Sequence, residues 1–126
     1  MTANPPPDAI FALPLFQHSY RFLIALHQAV DRFPKRDRHG IGAKLEKDAV
    51  EIFAMLLRAN SLRGYKRLAM LNECSIQLDL LKVLVRLAKD VGALQEKSYI
   101  GLESRLVENG KMLGGWIKSS STTNRP

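Results

Sequence analysis

Apolar positions recur along this chain at helical spacing in four stretches, separated by short breaks rich in proline, glycine and asparagine. No segment sustains the alternation of a β-strand, and Leu, Ala, Lys, Arg and Glu dominate the periodic stretches. The first predicted helix opens at Pro14, a residue suited to the first helical turn. It runs to Phe33, with Phe16, Leu23 and Val30 beside Leu15, Phe22, Leu26 and Phe33 in a broad apolar stripe. Pro34 stops it, because proline disfavours helical backbone in the residue before it. The second helix runs from Ile41 to Ala59, with Ile41, Leu45, Ala49, Ile52, Leu56 and Ala59 on one face. Asn60, as a left-handed cap, and Ser61 close it.

The third helix spans Tyr65 to Val91 and is apolar on two faces. Leu68, Leu71, Leu78, Leu81 and Val85 form one stripe; Leu80, Leu84, Leu87 and Val91 form the other. Two apolar faces predict more than one neighbour. Gly92 ends this helix. The fourth runs from Gln95 to Lys118, with Tyr99, Leu102, Leu106, Leu113 and Trp116 or Ile117 facing inward. Gly101, Gly110, Gly114 and Gly115 lie inside it, each costing up to about 1 kcal/mol relative to alanine. That cost predicts close approach of another backbone; the alternative is that Asn109-Gly110 breaks the helix.

Connections this short favour antiparallel neighbours. The expected fold class is all-α, an antiparallel up-down-up-down four-helix bundle over residues 14–118. Residues 1–13 form a Pro-rich tail expected to be largely disordered, with Ala9 to Leu13 as a short apolar strap, and residues 119–126 a second disordered tail. At 126 residues a single domain is expected. Apolar runs such as Ile52 to Leu57 fall far short of the roughly 20 residues that cross a bilayer, so no membrane partner is expected. Met1 to Asp8 lacks the basic and apolar regions of a secretory signal. One cysteine, Cys74, cannot form an internal disulfide, which fits a cytoplasmic location.

Charge changes the picture. Lys and Arg number 19 against 12 Asp and Glu, a net charge of +7, and the surplus is unevenly placed. Arg32, Lys35, Arg36, Arg38, Lys44 and Lys47 crowd the turn between the first two helices. Arg58, Arg63, Lys66 and Arg67 surround the next turn, with no acid between Glu51 and Glu73. Lys82, Arg86 and Lys89 form a ridge on the third helix with only Asp79 and Asp90 nearby. Antiparallel topology brings the first cluster, this ridge and Lys97 toward one pole, and the second cluster, Lys111, Lys118 and Arg125 toward the other. Such fields draw polyanions, and the planar fork of arginine suits phosphate. Aromatic residues lie mostly on apolar stripes rather than on a stacking platform. Contacts with nucleic acid are therefore expected at backbone phosphates, salt-sensitive and weakly sequence-specific.

Catalytic chemistry finds no support. No Glu is followed by His three positions later, and His18, His27 and His39 lack ligand spacing. Phosphate-cradling, dinucleotide and nucleophile motifs are missing, and Cys74 sits among apolar residues as an inert thiol. No enzyme activity, metal or cofactor is expected. Trp116, with Gly114 and Gly115, is the candidate interface between copies, since tryptophan anchors interfaces and glycines allow close approach; the alternative for Trp116 is core packing within the bundle.

Two local patterns carry a family resemblance: Phe33-Pro34-Lys35 followed by Gly40-Ile41, and Gly110-Lys111-Met112-Leu113-Gly114-Gly115-Trp116-Ile117-Lys118. From Leu15 to Lys118 the chain resembles the small four-helix-bundle proteins that include the accessory variability determinant (Avd) of diversity-generating retroelements. Relatives are encoded in intervening sequences of bacterial 23S ribosomal RNA genes. The resemblance implies a non-enzymatic homopentameric barrel. It also implies binding to the retroelement reverse transcriptase and to template RNA or cDNA, in support of mutagenic reverse transcription. The basic pair of such proteins matches Lys82 and Arg86, and their turn cations match Lys35, Arg36 and Arg38. The ribosomal branch is less basic and has Tyr before the turn glycine, where this chain has His39. The alternative is an oligomeric bundle of that ribosomal type, without a polymerase partner.

Overall fold

The computed structural model describes residues 10–123, with the side chains of Thr122 and Thr123 excepted, and no strand occurs among them. Four long helices form the body: α1 (Pro14–Asp31), α2 (Ala43–Ser61), α3 (Gly64–Asp90) and α4 (Glu96–Thr123). Between α1 and α2 a single helical turn, Lys35–Asp37, runs on to a kink at Gly40, where the backbone leaves helical geometry (φ −96°, ψ −106°) before α2 begins.

The buried positions explain why these helices pack side by side. They recur at alternating steps of three and four. On α3 they are Leu71, Cys74, Leu78, Leu81, Val85 and Ala88; on α2, Leu45, Ala49, Ile52, Leu56 and Ala59. On α4 they are Leu102, Leu106, Asn109, Leu113 and Ser120, and α1 repeats the rhythm from Leu15 through Ser19, Phe22, Leu26 and Ala29 to Phe33. A mean repeat of 3.5 keeps one seam facing its neighbours along the whole length, which is the packing of a left-handed bundle. Each helix packs on its sequence neighbours, and α1 packs on α4 to close the ring. The order is antiparallel: Lys89 near the end of α3 sits over Tyr99 near the start of α4, while Lys82 lies beside Gly110. Phe16 stands edge-on to both Phe53 and Trp116. Ser19 and Asn109 share a cavity of about 20 Å³ between the helices, and Asn109 Oδ1 has no hydrogen-bond partner among the described residues. Such a polar layer fixes register in a helical core at a cost in stability.

The turns follow from local chemistry. After α3, Gly92 adopts φ +84°, and the Gly92 and Ala93 amides donate to the Lys89 and Ala88 carbonyls at 3.0 and 2.9 Å. That is a Schellman ending, and glycine is the residue it favours. Between α2 and α3, the left-handed residue is Gly64 at φ +62°, not Asn60, which lies within the last turn of α2. At the end of α1, Pro34 breaks the helix and Gly42 returns to it so closely that a Cβ on Gly42 would lie 2.7 Å from Val30 Cγ1.

Several expectations are corrected. Helix α4 continues to Thr123, so residues 119–123 are helical rather than a disordered tail; Ser120 extends the buried seam past Lys118. Asn109-Gly110 does not break α4. Close approach inside the chain occurs at one of its four glycines only, Gly110, and the neighbour is the Lys82 side chain rather than backbone; space is open around Gly101, Gly114 and Gly115. Helix α3 packs on both α2 and α4, and Leu84 of its second stripe lies against the core. Leu80, Leu87 and Val91, joined by Ile76 and Val83, form an exposed crest on the side of α3 away from the core. Residues 1–9 of the N-terminal tail, and 124–126 with Arg125, lie outside the described residues. Ile10 to Leu13 form a turn that docks on α1, with Ile10 against the core and the Phe11 ring 4.9 Å from Tyr20.

Candidate functional site

The cations divide between the two ends of the bundle and one ridge. At the α1–α2 end, Phe33 and Gly42 are buried and anchor the turn. Helical winding then leaves Lys35, Arg36, Arg38 and His39 on the outside, next to Arg32, all exposed. None of Arg32, Lys35, Arg36 and Arg38 forms an ion pair among the described residues, although Asp31 and Asp37 are close in sequence.

The α3 ridge is weaker than its spacing suggests. Lys82 Nζ lies 3.9 Å from Asp79, Arg86 Nε 3.1 Å from Asp90, and Lys89 Nζ 3.7 Å from Asp90. Two carboxylates therefore serve three cations. The Asp90 hydrogen bond and charge hold the Arg86 guanidinium above its ordinary pKa. Lys89 also stands over the Tyr99 ring at 4.9 Å, a cation–π contact. Ion pairs this open to solvent are screened and contribute little, so a polyanion can displace the aspartates at little cost.

At the opposite end, Arg58, Arg63 and Lys66 are exposed and in no ion pair among the described residues. Arg67 departs from the predicted role. It is half-buried, and its Nε and Nη2 donate to the Ala59 and Asn60 carbonyl oxygens, each at 3.0 Å, while its guanidinium lies 5.6 Å from the Trp116 ring centre. Arg67 caps the exposed carbonyls at the end of α2, where a cation also meets the negative end of the helix dipole. It is a structural cation first. The predicted cations thus do not share one surface. Acids occupy the waist instead, with Asp48, Glu51 and Glu73 along a groove between α2 and α3.

Trp116, expected at an interface between copies, is half-buried and packs inside the chain against Phe16 and Arg67; Gly114 and Gly115 are exposed beside it. Sequence periodicity missed what surrounds that ring. Leu13, Asn60, Arg67 and Met112 join it in a pocket built from four separate segments, and no spacing within one helix signals such a meeting.

Among the described residues no three His, Cys, Asp or Glu side chains gather as a metal-binding group, and no helix is long and apolar enough to cross a membrane. Cys74 is fully buried, and burial pushes its thiol from 9.0 up to about 11; Glu73 adds to the shift, while Arg58 and a backbone hydrogen bond oppose it. The folded chain therefore holds this proton where the unfolded chain releases it. The contribution to stability is complete below pH 9.0 and is lost as pH rises toward about 11. Denaturant midpoints of the wild type are expected to fall more steeply across that window than those of Cys74→Ala. Equal slopes would show that Cys74 does not titrate in this way.

Fold and charge pattern together define the class, a small basic all-helical bundle with cationic ends. A family model described as bAvd-like matches residues 14–120, and the chain belongs to that family, one of accessory rather than catalytic proteins. A comparison with curated proteins found no match.

Proposed function

We propose that this protein is a non-enzymatic accessory factor of a diversity-generating retroelement, which binds the reverse transcriptase and its template RNA or cDNA and so supports mutagenic reverse transcription in the cytoplasm. The carrying observation is the exposed cluster Arg32, Lys35, Arg36 and Arg38 on a member of the bAvd-like family. Phosphates are the matched ligand there, since the guanidinium forks are exposed and make no competing ion pair among the described residues. The α3 ridge, Lys82, Arg86 and Lys89, is the second contact, for polymerase or nucleic acid, once Asp79 and Asp90 are displaced. Capture of the neighbouring reverse transcriptase by the tagged full chain tests this role. Replacing Lys82 and Arg86 by alanine is expected to reduce capture at least tenfold while leaving the helical circular dichroism spectrum unchanged. Undiminished capture by the folded double variant removes the ridge from the interface.

Self-association belongs to the same proposal, with a pentamer as the expected count. The α3 crest supports it, because Ile76, Val83 and Val91 are each about 60% exposed and lie on one face with Leu80 and Leu87. Rows of exposed large apolar side chains mark interaction surfaces. Gly114 and Gly115 leave room for close approach on α4. Val83→Glu with Leu87→Glu is expected to convert the assembly to monomers in light scattering. An unchanged mass would move the interface off this crest.

A further inference from the structure

We propose that the pocket around Trp116 is a docking site for an acidic peptide segment of a partner protein, which inserts one large apolar side chain. The inference goes beyond the role at the α1–α2 turn and concerns the opposite end of the bundle.

The pocket measures about 400 Å³. Leu13, Phe16, Met112 and Trp116 supply apolar walls; Arg67 and Asn60 supply the polar end. This is the composition of a site that takes an apolar body and fixes it with a few polar contacts. Methionine adapts to the shape of an incoming side chain. Arg67 is immobilised by its bonds to the Ala59 and Asn60 carbonyls, yet among the described residues its Nη1 group has no partner, and neither has the Asn60 side-chain amide. Both can receive a carboxylate or a peptide carbonyl of the docked segment without further ordering.

Charge selects the occupant. Arg63 precedes Arg67 by one helical turn, Lys66 adjoins it, and Lys111 adjoins Met112. All three are exposed and in no ion pair among the described residues. No acid lies between Glu51 and Glu73 to compete with a ligand. A segment with acidic residues around an apolar anchor complements both features. A nucleobase is a poorer fit: stacking needs an open aromatic face, and Trp116 has Arg67 over its ring and Phe16 edge-on to it.

Trp116 is the single tryptophan, so its emission reports directly on the pocket. The test titrates the full chain with a fluorescein-labelled peptide of about 12 residues, rich in Asp and Glu with one central Phe. The same peptide with Ser in place of Phe and an oligouridine RNA serve as comparisons. The Phe peptide is expected to shift Trp116 emission and to bind about tenfold more tightly than the Ser peptide. Leu13→Glu, at a wall residue already 43% exposed, should abolish the shift, and Arg63→Ala with Lys66→Ala should weaken binding about tenfold. Arg36→Ala with Arg38→Ala, at the far end, should change neither. Equal binding of Phe and Ser peptides, or insensitivity to Leu13→Glu, overturns the proposal. So does a Leu13-dependent shift with the RNA, which would make the site a nucleic-acid one. Binding seen only after deletion of residues 1–9 would assign the pocket to the chain's own N-terminal segment.

Discussion

A variant carrying Arg32→Gln, Lys35→Gln, Arg36→Gln and Arg38→Gln is expected to lose most of its salt-dependent affinity for single-stranded RNA. The four substitutions lower the net charge from +7 to +3 and remove four exposed cations that form no ion pair among the described residues. Each phosphate contact to a single strand contributes about 0.7 to the slope of log affinity against log salt. Four contacts make a slope change of about 3, or roughly fiftyfold in affinity between about 50 and 200 mM salt. Removing Lys82, Arg86 and Lys89 should flatten the slope by less than half as much, because Asp79 and Asp90 already neutralise part of that ridge. Fluorescence anisotropy across a salt series measures both. A quadruple variant with the wild-type slope would place the RNA contact elsewhere.

The second large effect is structural and concerns the support beneath those cations. Gly42→Ala is expected to destabilise the fold by about 2 kcal/mol and to lower the melting temperature by roughly 5–10 °C. Gly42 is helical, at φ −63° and ψ −47°, so alanine would gain up to about 1 kcal/mol in propensity. The clash outweighs that gain: the new methyl would meet Val30 Cγ1 at 2.7 Å, the Asp37 carbonyl oxygen at 3.1 Å and Phe33 Cδ2 at 3.2 Å. Two of these are side chains packed in the core and one is backbone, so none can yield without moving the turn. Gly101→Ala provides the contrast, since open space surrounds it within α4 and only the propensity gain remains. Calorimetry of the two variants separates the effects. A Gly42→Ala protein as stable as wild type would show that the α1–α2 turn is looser than its packing implies.

Much of this architecture was legible in the residues because each signal is local. Pro14 and Pro34 bracket α1, Gly92 stops α3, and the apolar rhythm identifies four helices and their inward faces. What escaped the sequence depends on contacts between distant segments. The kink at Gly40 and the close fit of Gly42 against Val30 are features that no periodicity reveals. Arg67 looked like its exposed neighbours Arg63 and Lys66 until the end of α2 and Trp116 were placed around it. The second stripe of α3 was visible as a pattern, but whether a helix of the same chain covers it is a three-dimensional fact. The end of α4 was drawn too early because serine and threonine weaken helix propensity, while a buried Ser120 extends packing through that stretch.

The length of α3 has a consequence for how the two ends act. Its 27 residues rise about 40 Å, several times the roughly 8 Å over which dissolved salt leaves charges able to sense each other. A guest seated at Arg36 therefore neither attracts nor repels one arriving at Arg63. The molecule behaves as a rigid strut with two autonomous electrostatic grips, able to hold separate anionic bodies at a fixed spacing without either weakening the other's hold.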